Sequence, residues 1–157
     1  MVIAKNEAAQ ANLVNQFKAR SVKKVYSVLV RGKLSPTDGV IEAPIGRDGR
    51  NRKRMAVVEA GKGKEARTRY HVVRHLGDDT LLEVTMETGR THQIRVHLSA
   101  IGYPVLGDKV YGVKSDRVPR LFLHASRLGF KLPSSGEYKE FTAELPPELG
   151  KALADIG

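Results

Sequence analysis

The chain has 157 residues, with 27 Lys and Arg against 17 Asp and Glu, and a formal net charge of +10. This length is enough for one domain, which buries roughly 70% of the surface that its unfolded chain exposes. Because the sequence has no cysteine, it excludes disulfides, a thiol nucleophile, cysteine-ligated zinc and iron–sulfur clusters. The apolar runs are well short of the ~20 residues that span a bilayer, so we expect no membrane partner and a cytoplasmic location.

The predicted elements alternate between helices and strands, without repeats. Residues 2–4 resemble the end of a strand. A helix is then predicted from its cap at Asn6 to about residue 20, with Leu13 and Phe17 on its buried face. Strands are predicted at residues 24–31, 40–41, 55–58, 67–76, 80–87, 121–132 and 137–145. Helical spacing returns over residues 91–101, and a last helix begins near Pro147. Many strands joined by short turns indicate an α+β fold.

The positive charge is concentrated in two stretches. Residues 17–33 contain six basic residues and no acid, and residues 46–75 contain ten basic residues against three acids, so the remaining residues carry −3. Clustered cations favour a polyanion partner because binding releases counterions. The alternative is that they only solvate exposed faces. Residues 47–54, the basic loop, contain five cations and a glycine and favour the polyanion, since such a loop can reach phosphates.

Residues suited to chemistry are concentrated at residues 88–95, which read T-G-R-T-H-Q-I-R. A strand is predicted to end here and a helix to begin at Thr91, so that free backbone N–H groups form an anion site. Arg90 precedes the helix and Arg95 lies one turn inside it. Two guanidinium groups so placed can clamp a phosphate or hold a carboxylate. A surface arginine pair on a capped helix is the alternative.

Further motifs follow in order along nearly the whole chain. Residues 24–26 read K-V-Y, residues 42–45 E-A-P-I, residues 88–97 T-G-R-T-H-Q-I-R-V-H, residues 102–108 G-Y-P-V-L-G-D, residues 111–112 Y-G and residues 123–125 L-H-A. Together they resemble the motifs of RluA-type pseudouridine synthases, which modify uridines in structured RNA, chiefly large-subunit ribosomal RNA. The resemblance implies a pseudouridine synthase fold, a mostly antiparallel mixed sheet flanked by helices, with a central cleft.

One part of the family pattern has no match in the chain. The nucleophilic aspartate of the family lies in an H-R-L-D-x-x-T-S-G motif, followed directly by a strand that residues 1–5 resemble. None of the 17 acidic residues lies in such a context. We therefore expect residues 1–157 to be the C-terminal portion of a catalytic domain, either an excised fragment or a reading frame opened at an internal Met, and to be inactive alone. A natural noncatalytic relative, an RNA-binding module that uses the same basic cleft, is the alternative.

The resemblance implies a role for several side chains. Arg95 matches the arginine that pairs with the catalytic aspartate and keeps it charged, and Tyr26 matches the tyrosine that packs on the target uracil. Without the family context, Tyr26 would be interpreted as a core aromatic residue. Residues expected at or beside the cleft are Arg90, Thr91, His92 and Gln93. Residues expected to grip the RNA backbone are Lys23, Lys24, Arg50, Arg52, Lys53 and Arg54.

The remaining candidates have structural interpretations. His92 could be a general acid or base, but a capping or neighbouring hydrogen bond is favoured. His97 and His124 are interpreted as core histidines, Asp108 as stabilising its own turn, and Tyr111 as core or rim. The isomerisation needs neither cofactor nor metal, and we expect none. The expected partner is RNA, ribosomal or alternatively transfer RNA; oligomeric state and an upstream S4-like domain are left open.

Overall fold

The computed structural model describes residues 1–112 and 115–157, and its centre is an antiparallel sheet of six strands. The eight strands are β1 (Lys23–Arg31), β2 (Asp38–Glu42), β3 (Ile45–Arg47), β4 (Met55–Val57), β5 (Arg67–Leu76), β6 (Asp79–Met86), β7 (Leu123–Lys131) and β8 (Tyr138–Thr142). The three helices are α1 (Glu7–Lys18), α2 (Gln93–Ala100) and α3 (Pro147–Ile156). Across the large sheet the order is β2-β5-β6-β1-β7-β8, and β3 pairs with β4 separately. No helix within the described ranges is long and apolar enough to cross a membrane.

Strand β1 directs alternate side chains toward two different helices. Val28 is fully buried in a cluster that includes Ile94 of α2, whereas the adjacent Leu29 is fully buried in a cluster with Leu149 of α3. Successive side chains of a strand point to opposite faces of a sheet. Helices α2 and α3 therefore cover opposite faces, which confirms the α+β class.

The sequence predicted most of these elements. Helix α1 begins after Asn6, whose side chain accepts a hydrogen bond from the Ala9 backbone N–H at 2.8 Å, as expected of an N-cap. Strands β5 and β6 form the predicted hairpin. The last helix begins at Pro147, as predicted.

Three local predictions were wrong, and one strand was missed. Residues 2–4 form no strand; instead Val2 packs against the α1 core cluster. Phe17 is 41% exposed, although Leu13 of the same helix is buried. Strand β3 was not predicted, because three residues after a proline carry too little periodicity to be recognised. Helix α2 begins at Gln93 rather than Thr91, because His92 has left-handed backbone angles (φ 56°, ψ 21°).

Candidate active site

The turn into helix α2 is fixed by one buried amide. Gln93 is 1% exposed. Its Oε1 accepts hydrogen bonds from the Thr88 hydroxyl at 2.7 Å and the Arg90 backbone N–H at 3.0 Å. Its Nε2 donates to the Arg67 carbonyl and the Thr68 hydroxyl, both at 3.0 Å. Because both amide atoms are fully used, Gln93 holds the turn against β5. The structure thus places this predicted substrate contact inside the protein.

Arg95 leaves the first turn of α2 and pairs with a buried carboxylate. Its Nε lies 2.7 Å from Oδ2 of Asp108 and its Nη2 lies 2.8 Å from Oδ1. The side chain of Asp108 is fully buried and that of Arg95 is 15% exposed. Such a two-bond fork fixes both the position and the plane of the guanidinium. Among the described residues, Nη1 has no hydrogen-bond partner, so that edge is open to a second acceptor.

Asp108 also organises its own turn, as predicted from the sequence. Its Oδ1 accepts hydrogen bonds from the backbone N–H groups of Val110 at 2.9 Å and Tyr111 at 3.0 Å. Burial by itself would raise the pKa of Asp108, but the hydrogen bonds from Arg95, Tyr111 and Val110 outweigh burial and lower this pKa below its ordinary value. The carboxylate is therefore charged at neutral pH.

Tyr111 lies between the basic loop and Arg95. The guanidinium carbons of Arg54 and Arg95 lie 5.0 Å and 4.9 Å from the centre of its ring. Its hydroxyl accepts from the Met55 backbone N–H at 2.9 Å and lies 3.0 Å from Nδ1 of His92. Burial and the charge of Arg95 lower the pKa of His92, so its imidazole is neutral at pH 7. The hydrogen bond predicted for His92 is present, whereas its side chain does not cap the helix.

Tyr26 lines a cavity on the side of strand β1 that faces β7. Its cavity has a volume of about 510 Å³ and is also lined by Lys24, Ala125 and Arg127. A β-bulge in β7 lies directly beside it, because Val25 pairs with Arg127 while Tyr26 pairs with Ala125. Bulges of this kind re-aim side chains and are common next to active sites. Burial raises the pKa of Tyr26, so its ring is neutral.

A larger cavity of about 700 Å³ lies at one end of the sheet. It is lined by Lys23, Thr88, Arg67 and the acids Glu42, Glu65 and Glu87, among others. Arg95 lines neither this cavity nor the one at Tyr26. Neither cavity is therefore lined by both Arg95 and Tyr26, the two residues to which the family resemblance gives roles in one reaction.

The predicted backbone contacts are of three kinds. Arg50, Arg52 and Lys53 are exposed on the basic loop, whereas Arg54 is half-buried against Tyr111. Lys23 is exposed but forms an ion pair with Glu140 at 2.8 Å. Burial, followed by repulsion from Arg20, lowers the pKa of Lys24. Of these six predicted contacts, only Arg50, Arg52 and Lys53 are exposed and have no ion pair with another described residue.

A family model described as RNA pseudouridylate synthase matches residues 1–100. The chain belongs to this family. An uncharacterized RNA pseudouridine synthase of Chloroflexus aurantiacus is 52% identical to it, over 99% of this chain and 49% of that protein. Ribosomal large subunit pseudouridine synthase D of Nitrosomonas europaea is 46% identical, over 99% of this chain and 47% of that protein. The structure of human RNA pseudouridylate synthase domain containing 1 superposes with a TM-score of 0.80 at 34% identity, over 95% of this chain and 66% of that one.

The chain spans about half the length of the curated relatives it matches. Its membership of the pseudouridylate synthase family and its fold are thus shown for residues 1–157. The activity and the substrate of a whole synthase are matters for proposal.

Within this pseudouridylate synthase chain, the family pattern did not reveal the partner of Arg95. Asp108 was expected only to stabilise a turn, and Tyr111 was left as core or rim. The sequence feature that could have pointed to Asp108 as this partner is the Gly107-Asp108 pair, three residues before another motif residue, Tyr111. Gly107 has φ +72°, a backbone conformation that glycine adopts readily at tight turns.

The two predicted core histidines have different surroundings, and two of the residues expected at the cleft lie just before His92. His97 is fully buried, and its two ring nitrogens lie 2.9 Å from the Thr68 hydroxyl and the Ala43 carbonyl. This confirms a satisfied core histidine. His124 is only partly buried, with its Nε2 3.0 Å from the Ala143 carbonyl, so its interpretation as a core histidine was wrong. Arg90 donates from Nε to the Glu65 carbonyl at 2.9 Å, and Thr91 is exposed.

Proposed function

We propose that residues 1–157 are the C-terminal portion of an RNA pseudouridine synthase that acts on large-subunit ribosomal RNA in the cytoplasm. The family match over residues 1–100 carries this proposal. The substrate class is supported by relatives named ribosomal large subunit pseudouridine synthase D, which are 41–46% identical to this chain. Transfer RNA is the alternative substrate.

The proposed reaction is an isomerisation without an external reactant. The N1–C1′ glycosidic bond of uridine breaks, the base turns, and a C5–C1′ bond forms. C5 then loses its proton and N1 gains one, so atoms and charge balance. The detached base must be retained between the two steps, and stacking on an aromatic ring is worth about 1–3 kcal/mol per base. We assign that stacking to Tyr26, beside the β7 bulge.

Arg95 is proposed to hold the nucleophilic carboxylate through the edge that Asp108 leaves open. Asp108 takes Nε and Nη2, so Nη1 is the group that can donate to a second carboxylate. A positive charge within about 4–6 Å keeps an acid ionised and lowers its pKa. In this arrangement Asp108 fixes the guanidinium and the second acid performs the chemistry.

The nucleophile is proposed to lie outside residues 1–157. Asp108 accepts four hydrogen bonds, three at Oδ1 and one at Oδ2, and its side chain is fully buried, so it is not accessible for attack on C1′. The cavity at Tyr26 is lined by 13 described residues, none of them Asp or Glu. The absence of Asp and Glu from the described lining of this cavity also favours the second candidate function, an RNA-binding module without chemistry.

The basic loop is proposed to bind the phosphates that flank the target. The target base must be flipped out of its stack to reach a pocket. Exposed Arg50, Arg52 and Lys53 can hold the backbone during that step, because phosphate contacts position a nucleic acid without reading its sequence.

One experiment tests both candidate functions. Uridine labelled with tritium at C5 releases the label when C5 joins C1′, so release from labelled ribosomal RNA measures turnover. We compare the 157-residue chain with a polypeptide extended upstream to the length of its relatives. We expect turnover only from the longer polypeptide and its loss on Arg95→Gln, while the matched surface variant Arg120→Gln keeps it.

The outcomes separate the candidates. Turnover by the 157 residues alone would contradict an external nucleophile. No turnover from the extended polypeptide, together with salt-dependent binding of RNA, would favour the binding module.

A further inference from the structure

The hydroxyl of Tyr111 connects three separate segments of the chain. It accepts from the Met55 backbone N–H at the start of β4, directly after the basic loop. Its own proton can go to Nδ1 of His92, because that imidazole is neutral. The Tyr111 carbonyl accepts from the Ser99 hydroxyl at 2.8 Å, which anchors the same residue to helix α2. A single residue thus joins the basic loop to both ends of the helix that carries Arg95, through its hydroxyl at Met55 and His92 and through its backbone carbonyl at Ser99.

The ring of Tyr111 is shared by two cations. Arg54 and Arg95 both lie within about 5 Å of its centre, close enough for cation–π attraction. Asp108 neutralises one of them, Arg95, and receives the Tyr111 backbone N–H as well. Nε of Arg54 is buried and has no hydrogen-bond partner among the described residues. Because Arg54 directly follows the exposed Lys53 while Arg95 is already paired with Asp108, Arg54 is the guanidinium whose surroundings an incoming phosphate can change.

We propose that Tyr111 is a positioning residue that holds Arg95 and couples it to the binding of RNA on the basic loop. The positioning acts through the ring and through the turn that Asp108 closes. The coupling acts through the hydroxyl, which ties the Met55 amide and His92 together, and through Arg54, which adjoins the exposed cations. This proposal rests on the proposed function, because the ligand of the loop is taken to be RNA.

The test uses ¹H–¹⁵N NMR of the Arg95 Nε–H group, which Asp108 protects from exchange. The first measurement is the exchange rate in the free protein. The second is the shift of the same signal on addition of an oligouridylate of about ten nucleotides, within the site sizes known for single-strand binding. The variants are Tyr111→Leu, which removes ring and hydroxyl, and Tyr111→Phe, which removes the hydroxyl alone. Tyr103→Phe is the matched control, because the Tyr103 ring packs at the core and against Gly32.

Each variant has a distinct expected result. Tyr111→Leu should speed exchange at Arg95 about tenfold, the ratio expected when a contact of cation–π strength is lost. Tyr111→Phe should leave the exchange rate of the free protein unchanged but remove most of the RNA-induced shift. Tyr103→Phe should match the wild type in both measurements.

The two failures are distinguishable. Unchanged exchange at Arg95 in Tyr111→Leu would overturn the positioning role. A wild-type shift in Tyr111→Phe would overturn the coupling. Failure of the wild-type chain to bind the oligonucleotide would overturn the coupling and contradict the proposed RNA contact of the loop, while the exchange rates would still decide the positioning role. Because Tyr111→Phe keeps the ring, it still decides the coupling if Tyr111→Leu fails to fold. Tyr111→Met, which also removes the ring, then replaces Tyr111→Leu in the exchange measurement, and unchanged exchange in it would overturn the positioning role.

Discussion

Removing the guanidinium of Arg95 should destabilise the protein even where no RNA is present. Arg95→Leu leaves Asp108 charged and fully buried, with only the Val110 and Tyr111 backbone N–H groups as donors. Breaking a buried ion pair by removing one partner costs about 3–5 kcal/mol. For a chain of this size, that loss lowers Tm by roughly 6–20 °C.

The pH dependence gives this prediction its sign. The pKa of Asp108 is lowered in the folded protein. Ionised Asp108 therefore contributes fully to the free energy of unfolding above its unfolded pKa of about 4, and this contribution is lost as the pH falls through the lower pKa of the folded state. The Arg95→Leu defect should be largest at pH 7 and should shrink below pH ~4, where the stranded carboxylate can be protonated.

Urea unfolding at the two pH values measures the effect. The matched control is Arg120→Leu, because Arg120 pairs with Glu148 at 3.0 Å with both side chains nearly half exposed. An exposed pair contributes about 0–1 kcal/mol. If Arg95→Leu costs no more than Arg120→Leu at pH 7, or if its cost does not fall in acid, the Arg95–Asp108 pair is not the buried, charged pair described above.

Three further predictions concern RNA binding and the Asp108 turn. Replacing Arg50, Arg52 and Lys53 with Gln should reduce the slope of log affinity for RNA against log salt concentration by about 2, at ~0.7 per phosphate contact. The same change at three other exposed lysines should not reduce this slope; these control residues are Lys131, Lys139 and Lys151. Gly107→Ala should lower the free energy of unfolding, measured with urea, by at least about 2 kcal/mol. The backbone of Gly107 has φ +72°, and the added Cβ would lie 2.4 Å from the Arg120 carbonyl. The control Gly102→Ala, at φ +87° with open space around the Cβ, should lower it by about 1–2 kcal/mol. Tyr26→Ala should weaken oligouridylate binding by roughly 5- to 150-fold while Tyr26→Phe retains it, and equal affinities of the two variants would contradict stacking.

Periodicity located the fold better than it located the site. The long strands β1, β5 and β6 were predictable because each runs for eight or more residues and is rich in β-branched and apolar residues. Strand β3 is only three residues long, and its pairing with β4 is set by contacts across the basic loop. His92 shifted the start of α2 because a left-handed residue other than glycine leaves no signal in the sequence.

The partners within the site could not be predicted for a different reason. Spacing along a helix shows which residues share its face, but Asp108 lies 13 residues from Arg95, beyond the end of α2. The inward direction of Asp108 depends on the Gly107 turn and on two backbone donors. Arg54 was grouped with its exposed neighbours by composition, while its contact with Tyr111 depends on how β4 leaves the basic loop.

The charges around Tyr111 indicate which kind of ligand this part of the protein favours. Arg54 and Arg95 contribute two positive charges beside one ring, and Asp108 contributes one negative charge. Among the described residues, Nη1 of Arg95 and Nε of Arg54 have no hydrogen-bond acceptor. Because a hydrogen bond to a charged group is worth more than one between neutral groups, these two donors favour anions over neutral acceptors. The proposed reaction brings two anions, a nucleophilic carboxylate and an RNA phosphate, and in our proposal the first lies at Arg95 and the second on the side of Arg54.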